Sequence, residues 1–475
     1  MAEATYSDLP AGGSASGDTG TVKATGGLVG FLPYIFLFSL ALPILIPVGS
    51  VLLMPHRLVL LVLFVPLLLA LLRGKAGRPQ VFDYLFFGSA IWGTIAIFVS
   101  DGEGAVEWVG LHWLEFIGSY LIGRVCIRNS QDVIRFVRAY GFLLLLLTPF
   151  AVAESFMHRA FFLELIPNSI STVVAPERWG LRRAQVAFSH PILFGVFAST
   201  AFGLFVYAIR SVSAKIILLA AAGISTIMSL STGALISLSI QSYLIAWELI
   251  TRPSRYRWWI FSGLAVAGYI AIDLLSNRTP FHVLAEYASF SSHSAWGRII
   301  IWEYGTQNVA EHPWFGLGLN VHNWVRPAWK SASVDNYWLM QAMTYGLPAL
   351  ILYAAAVFMI IRRVAIAKLA GKKNYYVRAG YLTCLGGILI ASGTVHNWHA
   401  MEGLILFLFG AGVWMTWNKD AAGGETDLPA APEQADRSPR YTRFENDSEP
   451  VAAPEVQKNP QGRKELRFSR NHETG

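Results

Sequence analysis

The sequence predicts an all-α, polytopic membrane protein, and three observations support this fold class. Apolar residues make up 54% of the 475 residues and charged residues only 14%, against about 25% charged in soluble globular proteins. The apolar residues form runs that approach the roughly 20 residues needed to cross a bilayer. The basic residues lie scattered between these runs and form no patch, so the composition excludes both a soluble enzyme and a nucleic-acid-binding protein.

Twelve apolar runs are candidates for transmembrane helices. They lie at about 28–48, 57–73, 82–100, 108–126, 134–153, 190–209, 213–230, 232–250, 257–275, 336–361, 377–396 and 402–417. The seventh and eighth runs are separated only by a short Ser-Thr-Gly turn, so they are the least distinct pair. Together the runs predict a membrane domain over residues 28–417.

The distribution of basic residues predicts the orientation. With both termini in the cytoplasm, the cytoplasmic connections carry most of the Lys and Arg residues of the domain, for example Arg362, Arg363 and Lys368. The short outer turn at 101–107 is acidic instead. This is the positive-inside pattern, and it predicts a multi-pass protein with both termini in the cytoplasm.

Four segments lie outside the predicted helices. Residues 1–27 and 418–475 are polar and predicted to be disordered cytoplasmic segments, and no cleaved signal peptide is recognised. Two outer loops, at about 154–189 and 276–335, are longer than most connections, which suggests function or disorder. Both loops contain apolar residues, so we expect amphipathic helices that lie at the outer interface and roof a cavity.

The first long loop is rich in arginine. Arg178, Arg182 and Arg183 lie on the outer side, against the positive-inside bias, and the planar guanidinium suits phosphate or carboxylate. Contact with lipid headgroups is the alternative interpretation. His190 precedes Pro191 at the start of the next span, where it is either a helix-entry residue or a ligand contact.

The second long loop combines a basic and an acidic candidate. Arg298 and Trp302 are four residues apart and share one face of a helix, and His322 lies further along the loop. The Gly-x-Gly at 316–318 follows no strand and is weak evidence for a phosphate loop. Asp335 precedes a span together with Asn336 and Tyr337, and it is either a helix N-cap or a catalytic carboxylate.

The turn at 395–402 contains His396, His399 and Glu402. Their spacing is compatible with a metal site on a helix, but no cysteine lies nearby to complete a closed site. Residues of an interfacial aromatic belt are the simpler interpretation. The cysteines, Cys126 and Cys384, lie in or beside apolar runs, so neither a disulfide framework nor a metal or other cofactor is expected.

These motifs resemble those of the O-antigen ligase and O-antigen polymerase superfamily of bacterial inner-membrane glycosyltransferases. The resemblance covers about 180–365. It rests on the segment from Arg182 to Pro191, on Ser-Leu-Ser-Thr-Gly at 229–233, on Gly-Arg-Ile-Ile-Ile-Trp at 297–302 with Glu-His-Pro-Trp-Phe-Gly-Leu-Gly-Leu at 311–319, and on Asp-Asn-Tyr-Trp-Leu at 335–339 with Tyr-Gly-Leu at 345–347.

The resemblance implies a fold and a reaction. The fold is that of a GT-C-like membrane glycosyltransferase, which transfers a saccharide from an undecaprenyl-diphosphate-linked oligosaccharide to a hydroxyl, with inversion and without a metal. Arg183, or its neighbour Arg182, and Arg298 match positions that hold the diphosphate in the family. The ligase branch has His-Asn where this chain has Asp335-Asn336, so the chain looks more like an exopolysaccharide polymerase that works with a flippase and a chain-length regulator.

Two alternatives remain at this stage. A ligase would transfer the glycan to lipid A-core or another acceptor. A lipid-linked oligosaccharide transporter would also suit twelve spans, but it should show charged residues within spans or broken helices in two related halves. Mid-span charges are few here, with Glu115 and Glu248 as the examples, and the polar residues concentrate in the outer loops.

Overall fold

The structure, a computed structural model, describes residues 30–48, 51–287 and 292–416. The predictions for residues 1–27 and 418–475 therefore lie outside the described residues. The described chain is mostly helical, with a single small hairpin in which β1 (Ile46–Val48) pairs antiparallel with β2 (Val51–Leu53). The predicted all-α class is confirmed.

The helices follow one another along the whole described chain. They are α1 (Leu32–Leu40), α2 (Pro55–Leu72), α3 (Val81–Asp101), α4 (Val106–His112), α5 (Ser119–Cys126), α6 (Ser130–Met157), α7 (Phe161–Glu164), α8 (Pro191–Ala208), α9 (Val212–Met228), α10 (Thr232–Ile250), α11 (Arg257–Leu275), α12 (Pro280–Tyr287), α13 (Ser292–Glu311), α14 (Tyr337–Ile366), α15 (Lys372–Ala391) and α16 (Ala400–Ala411). A π-helical turn, Trp113–Gly118, joins α4 to α5.

Seven helical segments of the described chain are long and apolar enough to cross a membrane. One of them, Val81–Cys126, contains both α3 and the α4–α5 pair, and Val212–Met228 and Ala400–Thr416 are shorter apolar helices. A helix lies within every predicted span, although the count of twelve crossings stays a prediction. The first span differs from its prediction, because α1 ends at Leu40 and the chain then turns into the β hairpin.

The centre of the bundle is α16, whose residues are nearly all buried. It packs against α5 where two glycines face each other's backbone. A Cβ on Gly123 would lie 2.0 Å from the carbonyl oxygen of Phe407, and one on Gly410 would lie 2.2 Å from that of Tyr120. Small residues allow such close approach of helices in membranes, so any side chain at either glycine would force the two helices apart.

The glycines at 316 and 346 join the second long loop to α14. Gly346 has φ +82°, and a Cβ there would lie 2.0 Å from the carbonyl oxygen of Trp314. Gly316 has φ +66°, and a Cβ there would lie 2.5 Å from the carbonyl oxygen of Met343 in α14. Two backbone hydrogen bonds close the contact, from Leu347 to Pro313 (2.8 Å) and from Leu317 to Met343 (2.7 Å). The motif at 311–319 therefore docks the loop onto the kink of α14.

The second long loop contains the helices expected of it. In α13, Ala295, Ile301 and Val309 are buried while Trp296 and Trp302 are exposed, so the helix presents one apolar face to the protein. The first long loop contains only the four-residue helix α7. Whether these loops roof a cavity stays a prediction.

Candidate active site

Two arginines of the first loop reach the turn between α9 and α10. Arg183 is 8% exposed, and its Nε donates a long hydrogen bond to the carbonyl oxygen of Ser229 (3.4 Å). Arg178 donates from Nη1 to the carbonyl oxygen of Leu230 and lies 3.4 Å from Oγ1 of Thr232. The short turn that separates two spans in the sequence therefore fixes both guanidinium groups.

Arg182 points to a different partner. Its Nε lies 3.5 Å from the carboxylate of Glu154, which is 1% exposed, and its Nη1 donates to the carbonyl oxygen of His158 (3.1 Å). Glu154 also accepts from the backbone NH of Val186 (2.9 Å), a β-branched residue held at φ +48°, which is a strained conformation. Arg182 thus anchors the loop, and its substrate contact stays a prediction, as does that of its neighbour Arg183.

Arg298 and Asp335 complete the cluster from two further segments. Burial lowers the pKa of Arg183 to about 10, with Arg178 adding to the shift and Asp335 opposing it. Burial likewise lowers the pKa of Arg298, and there too Asp335 opposes the shift while Arg178 adds to it. Asp335 and Arg178 thus influence both Arg183 and Arg298. The first loop, α13 and the start of α14 therefore meet at one place.

Arg183 is poorly compensated within this cluster. Its described contacts comprise the long hydrogen bond to Ser229, and it forms no ion pair with any residue in the described ranges. A buried charge without a partner is costly, and an anion that bound here would remove that cost. The cluster therefore has the character of an anion-binding site.

Asp335 is not the N-cap of α14. The helix begins at Tyr337, and the cap is Asn336, whose Oδ1 accepts from the backbone NH of Leu339 (3.1 Å). Asp335 instead accepts a hydrogen bond from the hydroxyl of Ser333 (2.9 Å). The capping interpretation of Asp335 is wrong, because the extended backbone that a cap requires belongs to the next residue.

Asn336 and Tyr337 support the site from inside the protein. Asn336 is 5% exposed and Tyr337 2% exposed. The side chain of Asn336 is engaged in the cap, and the hydroxyl of Tyr337 donates to Oε1 of Glu402 (3.0 Å). Both side chains thus help to fix the start of α14 next to Asp335, and their contact with a sugar stays a prediction.

The turn between α15 and α16 belongs to the site, which sequence reasoning missed. The backbone NH of Tyr337 donates to the carbonyl oxygen of Ser392 (2.8 Å) and also to that of Val395 (3.1 Å). His396, one residue further on, is under the electrostatic influence of Asp335. The polar His-Asn-Trp-His sequence between two apolar helices is the signal in the sequence, although on its own it also fits an interfacial aromatic belt.

The remaining candidates have distinct places. His190 is the N-cap of α8, since its Nδ1 accepts from the backbone NH of Ile192 (3.1 Å), so the helix-entry interpretation is confirmed. Trp302 stacks on Phe281 with ring centroids 4.9 Å apart and thereby holds α12 against α13. His322 is exposed, in a 3₁₀ turn at Gly318–Asn323.

Comparison with known families now bears on these residues. Residues 216–354 match the model of a family described as O-antigen ligase. Residues 216–354 are therefore similar to an O-antigen ligase domain. The match includes Arg298 and Asp335, whereas Arg183 lies before it. No curated protein matches the chain. The match confirms the resemblance to the O-antigen ligase and polymerase superfamily and supports a function of the ligase or polymerase type. The long apolar helices support a multi-pass membrane protein.

A second polar network lies among α2, the π-helical turn and the start of α16. Glu115 accepts from Nε of Arg57 (2.8 Å) and lies 3.2 Å from Nε2 of His56. Nη2 of Arg57 lies 3.0 Å from Nδ1 of His399, the residue that precedes α16. Charged side chains within a membrane are costly unless they are paired, and in this network Glu115 is paired with Arg57. It links α2, the π-helical turn and α16, and so holds the turn that carries His396.

The buried histidines of the candidate site predict acid sensitivity. Burial lowers the pKa of His396 to about 4, and burial, with Arg183 adding to the shift, lowers the pKa of His190 to about 4. Between pH 6.5 and 4 the unfolded chain binds more protons at these residues than the folded one, so the free energy of unfolding should fall as the pH falls through this range.

The check is the melting temperature of the detergent-solubilised protein from pH 7 to pH 4.5. The substitution His396→Gln should flatten its pH dependence, because one buried imidazole no longer has to be protonated on unfolding. The exposed His322 provides the control, and His322→Gln should leave the slope unchanged. An identical slope in wild type and His396→Gln would contradict the assignment.

Proposed function

We propose that the protein polymerises oligosaccharide repeat units linked to a polyprenyl diphosphate, at the periplasmic face of a bacterial inner membrane. The donor would be an undecaprenyl-diphosphate-linked oligosaccharide, and the pathway one of exopolysaccharide or O-antigen synthesis. The observation that carries the proposal is that Asp335 acts on both Arg183 and Arg298. A carboxylate and two arginines suited to an anion thus lie together, and Arg298 and Asp335 both belong to the segment that matches the O-antigen ligase family.

The arginines supply stabilisation of the leaving group. As the bond between sugar and diphosphate breaks, negative charge develops on the diphosphate. Preorganised donors aimed at developing charge lower the barrier most effectively in a water-poor site, and guanidinium groups can bind phosphate oxygens with two parallel hydrogen bonds. Because Arg183 and Arg298 can perform this task, the proposed reaction requires no metal.

Asp335 supplies the proton acceptor. In the proposed step the acceptor hydroxyl oxygen attacks the anomeric carbon, its proton passes to the Asp335 carboxylate, and the electron pair of the breaking C–O bond leaves with the diphosphate. Attack from the face opposite the leaving group inverts the anomeric centre. Burial lowers the pKa values of the neighbouring His190 and His396 to about 4, which makes their imidazoles weak bases, so Asp335 is the group proposed to accept the proton.

Polymerisation is preferred to ligation because Asp335-Asn336 replaces the His-Asn pair that the resemblance associates with ligases. The alternative is transfer to lipid A-core or another acceptor. As a polymerase, the protein would depend on a flippase to deliver lipid-linked repeat units and on a chain-length regulator.

The test is a transfer assay with the purified full-length protein in proteoliposomes that contain polyprenyl-diphosphate-linked oligosaccharide. A polymerase should yield a ladder of products that differ by one repeat unit, with and without a metal chelator. A single addition to a phosphorylated glycolipid acceptor, with no ladder, would assign the protein as a ligase. If neither product forms, the proposed function is wrong.

The orientation can be checked independently. Reporter fusions after Lys75 and after Arg363 should report the cytoplasmic side, and fusions within 156–189 and 280–330 should report the periplasmic side. The physical reason is the concentration of basic residues in the first pair of connections. A cytoplasmic signal from either long loop would contradict the proposal, because the donor glycan would then be on the wrong side of the membrane.

A further inference from the structure

A second basic group lies in the loop before α14. Arg326 donates from Nε to the carbonyl oxygen of Lys330 (3.0 Å) and from Nη1 to those of His322 (3.1 Å) and Trp324 (2.9 Å). Its guanidinium also lies over the ring of Trp324, 5.7 Å from the centroid. Arg326 therefore closes this loop through backbone contacts and brings its positive charge next to Lys330.

The described hydrogen bonds of the Lys330 ammonium group are weak. It is partly buried, and its contacts with the hydroxyl of Ser331 and the carbonyl oxygen of Ser333 are both 3.5 Å long, at the limit of a hydrogen bond. Burial lowers its pKa, Asp335 opposes the shift, and Arg326 adds to it. Neither Lys330 nor Arg326 forms an ion pair with a carboxylate in the described part of the chain.

This basic group is distinct from the arginine cluster of the donor site. Arg178 acts on Arg183 and Arg298, whereas Arg326 is the cation that acts on Lys330. The carboxylate of Asp335 acts on both groups. Ser333 connects Asp335 to the second group, since its carbonyl oxygen lies 3.5 Å from Nζ of Lys330 and its hydroxyl donates to Asp335 (2.9 Å). Asp335 thus lies near the proposed donor arginines and also near a basic group that has no assigned ligand.

We propose that Lys330, supported by Arg326, binds a carboxylate or phosphate substituent of the accepting sugar, next to the hydroxyl that Asp335 activates. This inference rests on the proposed function, because it requires that Asp335 marks the position of the acceptor hydroxyl. The acceptor's own diphosphate cannot be the anion at Lys330, since the repeat unit separates that diphosphate from the reacting end. The acceptor is thus an acidic glycan, with its negative charge on the sugar that is extended.

The experiment measures sugar binding to the purified full-length protein in nanodiscs. The probes are glucose, glucuronate and glucose 6-phosphate, added at low salt in the presence of excess farnesyl diphosphate, which occupies the donor arginines. At least one acidic sugar should bind about tenfold more tightly than glucose, because a charge-assisted hydrogen bond contributes roughly this much. Comparison of the two acids distinguishes a carboxylate substituent from a phosphate.

Lys330→Gln keeps the length and polarity of the side chain and should abolish the preference for acidic sugars, whereas Lys330→Arg should keep it. Arg278→Gln is the matched control, because Arg278 is an exposed outer-loop cation already paired with Glu286 (2.6 Å). Equal affinity of the wild type for glucose and both acids would overturn the inference, as would a preference that survives in Lys330→Gln. Binding of farnesyl diphosphate is recorded separately, so that failure of the proposed donor site is distinguished from failure of the Lys330 subsite.

Discussion

Replacing Asp335 by asparagine should lower the rate of glycan transfer by about 100-fold or more, the range expected when a general base is removed. Asparagine has the same shape but cannot accept a proton from the acceptor hydroxyl. The protein should remain folded, because the N-cap of α14 is Asn336 and the Asp335 carboxylate has only the Ser333 hydroxyl as a described hydrogen-bond partner. The measurement is the initial rate of ladder formation in proteoliposomes, with the melting temperature recorded in parallel.

Ser333→Ala is the matched control, since it removes the hydrogen bond to Asp335 but keeps the carboxylate. Ser333→Ala should lower the transfer rate much less than Asp335→Asn does. If Asp335→Asn transferred glycan at nearly the normal rate, Asp335 would not be the base. His322 and His396 would then be the alternatives, and the double variants Asp335→Asn with His322→Gln and with His396→Gln would show which of them acts.

Removing the guanidinium of Arg183 or Arg298 should reduce transfer by about 100- to 1,000-fold each, as for the loss of one donor to a developing anion. The two effects should not add fully, because both side chains act on the same leaving group. Arg298→Lys and Arg183→Lys should fall between wild type and alanine, since lysine keeps the charge but loses the bidentate fork. The transfer rate at saturating acceptor is the quantity to compare.

Arg159→Ala serves as the control for the arginine variants. Arg159 is an exposed outer-loop cation paired with Glu164 (2.6 Å), and its loss should leave the transfer rate unchanged. Normal polymer yield from Arg298→Ala would exclude Arg298 as a phosphate ligand.

The sequence predicted the locations of the helices because their apolar runs are long and the connections between them are charged. It also predicted Arg183, Arg298 and Asp335 as partners, although they lie far apart in the chain. That prediction came from the family resemblance, since spacing alone cannot bring three separate segments together. The first span was predicted too long, because the apolar residues after Leu40 form a hairpin and apolar content alone does not distinguish a short strand from a helix.

The sequence could not assign a role where two adjacent residues were equally suited to it. Asp335 and Asn336 are both good N-caps, and only the backbone conformation decides that Asn336 performs this function. Similarly, Arg182 and Arg183 are adjacent and cannot be distinguished from the sequence, yet only Arg182 lies beside the buried carboxylate of Glu154. The contribution of the turn at 392–399 depends on tertiary contacts with Tyr337, which no local pattern encodes.

The central claim is that Arg183 and Arg298 hold the donor diphosphate beside Asp335. The most direct measurement is the affinity of the purified full-length protein for farnesyl diphosphate, without acceptor, in wild type, in the double variant Arg183→Ala with Arg298→Ala, and in Asp335→Asn. The account predicts that the double variant loses affinity by at least about 100-fold, whereas Asp335→Asn binds as tightly as wild type or more tightly, because a negative charge near the anion has been removed. Unchanged affinity in the double variant, or a large loss in Asp335→Asn, would contradict it.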